Sequence, residues 1–276
     1  MGASIHIMKR KLLKALTLTG CFSTGIIYGS IGVIAILSYL KLKRGGADEN
    51  SFFALLNGFA LGKALNWIII LGAVCFVIWR FYEAFKDPNN AGSDSKGILL
   101  RMGIAFSSLA DAFIAFSVLQ ALFSLQKVPL SGEPVQQQNM VADLIKTEWG
   151  RVMIIIVSLV VLLTALVLAF YGLSGRFTES IKDERFSKPW TYVVHGLAYS
   201  GYLARGVILS VVGFFLFLSA IKRDSSYVVN TDKAFDFIGD NIGGIAFLLI
   251  ATGTICYGLY MFILGLHYKI DAGKKT

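Results

Sequence analysis

Apolar and polar positions alternate along this chain in long blocks. Six apolar stretches, at 16–40, 64–85, 99–125, 150–173, 193–221 and 241–268, are separated by connectors that carry almost all of the charge. A helix that crosses a bilayer needs about 20 largely apolar residues, because hydrocarbon offers no water to satisfy backbone N–H and C=O groups. Each stretch meets that length. The pattern predicts an all-α integral membrane protein with six transmembrane helices.

The stretches also repeat. Gly20-Cys21-Phe22-Ser23-Thr24-Gly25, Gly103-Ile104-Ala105-Phe106-Ser107-Ser108 and Gly201-Tyr202-Leu203-Ala204-Arg205-Gly206 align without gaps. Small residues then continue at Gly29 and Gly32, at Ala112 and Ala115, and at Ser210 and Gly213. From Gly25, Ser108 and Gly206 these offsets of four and seven fall on one narrow helix face. Small residues there let two backbones approach closely, which drives helix association in lipid, where hydrophobicity cannot. The even-numbered stretches echo one another more weakly, with Gly72, Cys75 and Trp79 against Gly253, Cys256 and Tyr260. Three two-helix repeats follow, at 1–98, 99–190 and 191–276. Each returns the chain to its starting side, so the copies share one orientation and predict pseudo-threefold symmetry about the membrane normal. Inverted repeats with broken helices, which mark many alternating-access transporters, do not appear.

The repeated pair of spans, together with Gly201-Tyr202-Leu203-Ala204-Arg205-Gly206-Val207, resembles a bacterial membrane family of unknown function built from three tandem two-helix repeats. The resemblance implies a fold and no activity. Its aromatic-Ala-Arg-Gly signature is complete only in the third repeat, because Thr24 and Ser107 stand at the Arg position of the other two.

Composition agrees with a lipid environment. Of 276 residues, 55% are hydrophobic and 16% charged, with mean hydropathy +0.67; a soluble domain carries about 25% charged residues. The N-terminus, the C-terminus and the connectors at 80–101 and 172–195 hold more Lys and Arg than the connectors at 41–63, 127–151 and 222–233. Positive residues stay preferentially in the cytoplasm, so both termini are expected there, in a multi-pass protein of a bacterial inner membrane. The net charge of +9 is then a matter of orientation, and no nucleic-acid partner is invoked. Leu18-Thr19-Gly20-Cys21 resembles a lipoprotein cleavage site. However, Lys14 interrupts the apolar region before it and the run continues to Leu40, so the segment reads as an uncleaved first span. Cys21, Cys75 and Cys256 lie inside spans and lack metal spacing; they read as packing residues, with no metal expected.

Two charges fall in mid-span. Asp111 and Arg205 occupy comparable depths of the third and fifth stretches, and a lone carboxylate there costs about 2.5–3.5 kcal/mol on insertion scales. In the repeat alignment Asp111 corresponds to Leu209, one helical turn past Arg205, and the spacing predicts an interhelical Asp111–Arg205 salt bridge. As a functional pair it is an ion or proton relay or the wall of a polar cavity; as a structural pair it fixes helix register. His6, His195 and His267 do not form facing pairs, so haem and other cofactors are not expected. Lys63, Asn66, Arg80 and Glu83 read as interfacial residues around the second span, with Arg80 and Glu83 paired on the helix surface. Trp67, Trp79, Trp149 and Trp190 read as an aromatic belt. Segment 126–149 reads as a solvated polar loop. With no phosphate loop, nucleophile elbow or metal-ligand spacing, no catalytic residue is expected. The sequence points to a non-enzymatic structural or accessory subunit, with membrane lipids, and potentially another membrane protein, as partners. One alternative is a small transporter or channel centred on Asp111 and Arg205. Another is a lipid-binding or intramembrane enzyme.

Overall fold

The computed structural model describes residues 2–42, 46–58, 61–86, 92, 97–98, 101–102, 104–105, 108, 112, 132–181 and 187–268. Five helices among them are long and apolar enough to cross a membrane. They are the Lys11–Tyr39 part of α1 (Gly2–Tyr39), α3 (Gly62–Lys86), α5 (Glu148–Leu173), α6 (Lys188–Lys222) and α8 (Gly244–His267). The sixth expected span, 99–125, lies almost wholly outside the described residues, and with it Gly103, Asp111 and Ala115.

Among the described residues, three short helices precede long ones: α2 (Glu49–Asn57), α4 (Val135–Ile145) and α7 (Thr231–Asn241). The connector at 126–149 therefore contains a helix, where the sequence suggested a loop. Local chemistry explains the helix starts. Asp48 accepts a hydrogen bond from the Ser51 N–H, Asn230 from the Lys233 N–H and Thr147 from the Gly150 N–H. Each thereby satisfies one of the first-turn donors a helix leaves open.

The long helices pack in the order α3, α1, α8, α6, α5. A cluster holding Ile31, Phe52, Phe53, Phe235 and Phe247 fills the end bearing the short helices, and one holding Phe76, Trp79, Tyr202, Tyr257 and Tyr260 fills the other.

The contacts within the two helix pairs α1–α3 and α6–α8 correspond position for position. A Cβ placed on Gly20 would lie 2.6 Å from the Phe76 Cα, and one on Gly201 would lie 2.6 Å from the Tyr257 Cα. Gly20 and Gly201 are separated along the chain by the same number of residues as Phe76 and Tyr257. In the reverse direction, Gly72 abuts Ser23 and the Thr19 carbonyl, and Gly253 abuts Ala204 and the Ser200 carbonyl, at the same offset. These glycines close the seam between the two helices of a repeat, α1 against α3 and α6 against α8.

The other glycines face the neighbouring repeat. A Cβ on Gly25 would stand 2.9 Å from the Gly258 carbonyl of α8, and one on Gly32 2.7 Å from the Ala251 carbonyl. Their equivalents turn to α5: Gly206 towards the Ala165 carbonyl at 3.1 Å, and Gly213 towards Leu162 at 3.0 Å. Gly29 has open space at its own Cβ position, although a Cβ on Gly258 would meet its backbone nitrogen at 2.6 Å. Ser210 donates to the Gly206 carbonyl and Ser108 to the Ile104 carbonyl, at 2.9 and 2.7 Å. Ala112 lies in a helical segment.

Gly20→Ala and Gly201→Ala, which drive a methyl into backbone, are each expected to destabilise the protein by about 1–3 kcal/mol. Gly29→Ala, with free space and a better helix former, is expected to be neutral or stabilising. Unfolding of the purified variants in mixed micelles measures the difference, and equal losses at all three positions would contradict the seam geometry.

Candidate functional site

Arg205 sits midway along α6 and is only 5% exposed. A guanidinium at that depth requires compensation. Its Nη1 donates to the Tyr257 hydroxyl at 2.5 Å. Its charge also lies over two aromatic faces, 4.8 Å from the Tyr28 centroid and 5.1 Å from that of Tyr257. The electron-rich face of each ring attracts the cation, and the attraction strengthens where water is excluded. Tyr28 and Tyr257 meet edge to face, and Tyr257 in turn packs edge to face on Tyr202. Arg205 is thus held by α1 and α8 as well as its own helix. Its expected partner Asp111 is outside the described residues. In the repeat alignment, Tyr28 holds the α1 position equivalent to Asp111.

Above Arg205 lies a chamber of about 30 Å³, room for one or two water molecules, lined by Tyr28, Glu49, Arg205, Thr231, Thr254 and Tyr257. Glu49 and Thr231 form its roof. They are the first residues of α2 and α7, and the Thr231 Oγ lies 3.2 Å from both Glu49 carboxylate oxygens.

The roof belongs to a network that ties the three connectors together. The Ala47 N–H donates to Asp232 Oδ1 at 2.5 Å. The Asn230 side-chain amide donates to Asp48 Oδ2 at 3.2 Å and to the Gly132 carbonyl at 2.9 Å. Gly132 has φ +75°, and a side chain there would strike Asp232 and Gly46, so glycine is required on both counts. Lys233 pairs with Glu133 at 3.1 Å and Asp236 at 3.4 Å. Three carboxyls are buried in this network: Asp48, Glu49 and Asp232, at 2, 8 and 9% exposure. Burial raises all three pKa values, with Glu49 and Asp232 reaching about 7. The Asp48 carboxylate adds to the rise at both Glu49 and Asp232, while the Glu49 backbone N–H, the Thr231 hydroxyl and Arg205 oppose it at Glu49.

A second polar cluster closes the other end. Arg80 pairs with Glu83 at 2.8 Å, and Glu83 accepts from the Tyr268 hydroxyl at 3.1 Å. Arg80 also lies over the Phe76 and Trp79 rings. Both charges and Trp79 are buried, so Arg80 and Glu83 are not surface residues and Trp79 is not part of an interfacial belt. Trp67, Trp149 and Trp190 are exposed. His195 packs on Phe177, and the His267 ring lies 3.1 Å from the Ile263 carbonyl.

Of the chamber residues, sequence reasoning singled out Arg205 alone. The readable cue to the roof was the pair of helix starts at Asp48-Glu49 and Asn230-Thr231, a capping residue followed by a polar first turn.

Residues 19–87 and 200–267 each match one family. It is DUF1206, a Domain of Unknown Function. The two matching segments begin at the same offset that relates Gly20 to Gly201, and so coincide with the helix pairs α1–α3 and α6–α8. The chain is also similar to the Uncharacterized protein YxxB of Bacillus subtilis (strain 168), 23% identical over 256 residues covering 92% of this chain and 91% of that protein. No solved structure matches. The five apolar helices and these relatives describe a multi-pass membrane protein of unknown biochemical role.

Tyr257→Phe removes a hydrogen bond to a buried cation and is expected to cost about 1.5–3 kcal/mol of stability. Arg205→Lys keeps the charge but loses the planar stacking, and is expected to be no milder. Thermal unfolding of the detergent-purified variants checks both, and a wild-type melting curve for either would show that the arginine box is not holding the bundle.

Proposed function

We propose that this is a non-enzymatic multi-pass protein of a bacterial inner membrane, acting as a structural or accessory subunit. The observation that carries the reading is the repeated close-packed seam. Equivalent glycines bring backbones together at the same points of two repeats. The order of contacts supports three tandem repeats in a ring. The second long helix of the middle repeat, α5, packs on α6, and the second of the last, α8, packs on α1. A sixth span at 99–125, with pseudo-threefold symmetry about the membrane normal, would complete that pattern. The excess of Lys and Arg around the termini favours cytoplasmic ends. The partners are membrane lipids and a second membrane protein, with no nucleic acid.

A small transporter or channel is the second reading, favoured by the chamber at Arg205. Tyr28 and Leu209, the equivalents of Asp111, both line the chamber, and the same position in the middle repeat would bring Asp111 to it.

Photocrosslinkers at Ile156, Leu159 and Leu163 on the exposed face of α5, introduced one at a time in cells, test the accessory role. The expected result is an adduct to one and the same membrane protein from neighbouring positions and none from buried Ser158. Lipid adducts alone, together with ion flux through vesicles containing only the purified protein, would replace the accessory reading with the transport one.

A further inference from the structure

The connector network holds more buried carboxyl groups than its surroundings can keep ionised. Asp48, Glu49 and Asp232 come together from two connectors, and like charges sharing a low-dielectric site cannot all be deprotonated without matching cations. Among the described residues, the cations acting on them are Arg205, below Glu49, and Lys233, which is shared with Glu133 and Asp236.

Hydrogen-bond donors differ among the three carboxyls. Asp48 accepts from the Ser51 N–H and the Asn230 amide, and Asp232 accepts from the Ala47 N–H. An amide donor favours the ionised form of a carboxyl and partly offsets the effect of burial. Glu49 is held by its own backbone N–H and by the Thr231 hydroxyl, which can donate to a carboxylate or accept from a carboxylic acid and favours the ionised form. Glu49 also has the chamber beneath it, with room for water between its carboxyl and the Arg205 and Tyr257 side chains.

We infer that Glu49 is a proton-binding site of the bundle, loaded from the connector side, with Thr231 as its hydrogen-bond partner in both protonation states. The ligand is a proton from water: an O–H bond forms on a Glu49 carboxyl oxygen, the charge of the roof changes by one, and no electron moves. The groups facing Glu49 are Asp48 on its own connector, Thr231 from α7, Arg205 from α6, Tyr28 from α1 and Tyr257 from α8, with Asp232 next to Thr231 in the chain. The site stands whether the protein is an accessory subunit or a transporter, since it requires binding and not flux.

The upward shift at Glu49, to about 7, agrees with this placement and sets the sign of a pH effect. Between the ordinary glutamate range and about 7, the folded protein binds more protons than the unfolded chain. The stability that the bound proton confers is therefore present at the acid end of that window and lost as pH rises through it.

Infrared spectra of the protein in lipid nanodiscs, titrated from roughly pH 5 to pH 9 around the carboxyl range, read the proton directly. A protonated-carboxyl C=O band is expected to vanish as pH passes through neutrality and to shift in deuterium oxide. It should lose a component in Glu49→Gln that is kept in Asp232→Asn and Asp111→Asn. Thr231→Val, which removes a partner of the carboxylate, is expected to retain the band and raise its midpoint, and decides the matter if Glu49→Gln does not fold. No titrating band, a band undiminished in Glu49→Gln, a band lost entirely in Asp232→Asn or Asp111→Asn, or an unmoved midpoint in Thr231→Val would each overturn the assignment.

Discussion

Everything in this bundle depends on how closely two helix backbones can approach. In lipid, an apolar side chain gains nothing by leaving the hydrocarbon for a neighbouring helix, so association rests on dispersion contacts and polar links made at short range. Glycine permits that range. At Gly20 and Gly201 there is no room for even a methyl group against Phe76 and Tyr257, and at Gly25 and Gly258 each glycine stands against the other's helix backbone. The first set of contacts closes a pair of helices into a repeat, and the second joins one repeat to the next.

Close packing makes the buried polar groups both possible and necessary. Arg205 survives at mid-depth because α1 and α8 are near enough to bring the Tyr28 and Tyr257 rings onto its guanidinium. At the other end, α3 and the chain after α8 meet closely enough for Tyr268 to reach Glu83 and complete the Arg80–Glu83 pair. The three connectors then converge above Arg205, and glycine again allows it, because Gly46 and Gly132 lie against one another beside Asp232. This convergence creates the buried carboxyl cluster and the chamber beneath it.

Much of this architecture is legible in the sequence, for identifiable reasons. Long apolar runs announce spans regardless of context, and five coincide with long helices. Gap-free alignment of Gly20 with Gly201 marks equivalent helices because the packing that selects glycine is itself repeated. The burial of Arg205 follows from its place in an apolar run. The roof is not legible in the same way. Helices α2, α4 and α7 span 9 to 11 residues of mixed composition, too short for periodicity to separate them from loops, and only the caps at Asp48 and Asn230 betray two of them. Glu49 and Thr231 meet because two connectors fold inward, a tertiary event with no local signature. Arg80 and Glu83 show their pairing in the sequence but not their burial, which Trp79, Phe76 and Tyr268 impose from elsewhere.

The most direct test of the backbone-contact account is a double-mutant cycle on Gly25→Ala and Gly258→Ala, read by equilibrium unfolding in micelles. Each methyl is expected to force α1 and α8 apart at the same seam. Once one has done so the second should cost much less, leaving the double variant more stable than the sum of the single losses by about 1 kcal/mol or more. Strict additivity, or two single variants as stable as the wild type, would mean that the glycines do not share a seam and that something other than close backbone approach holds the helices together.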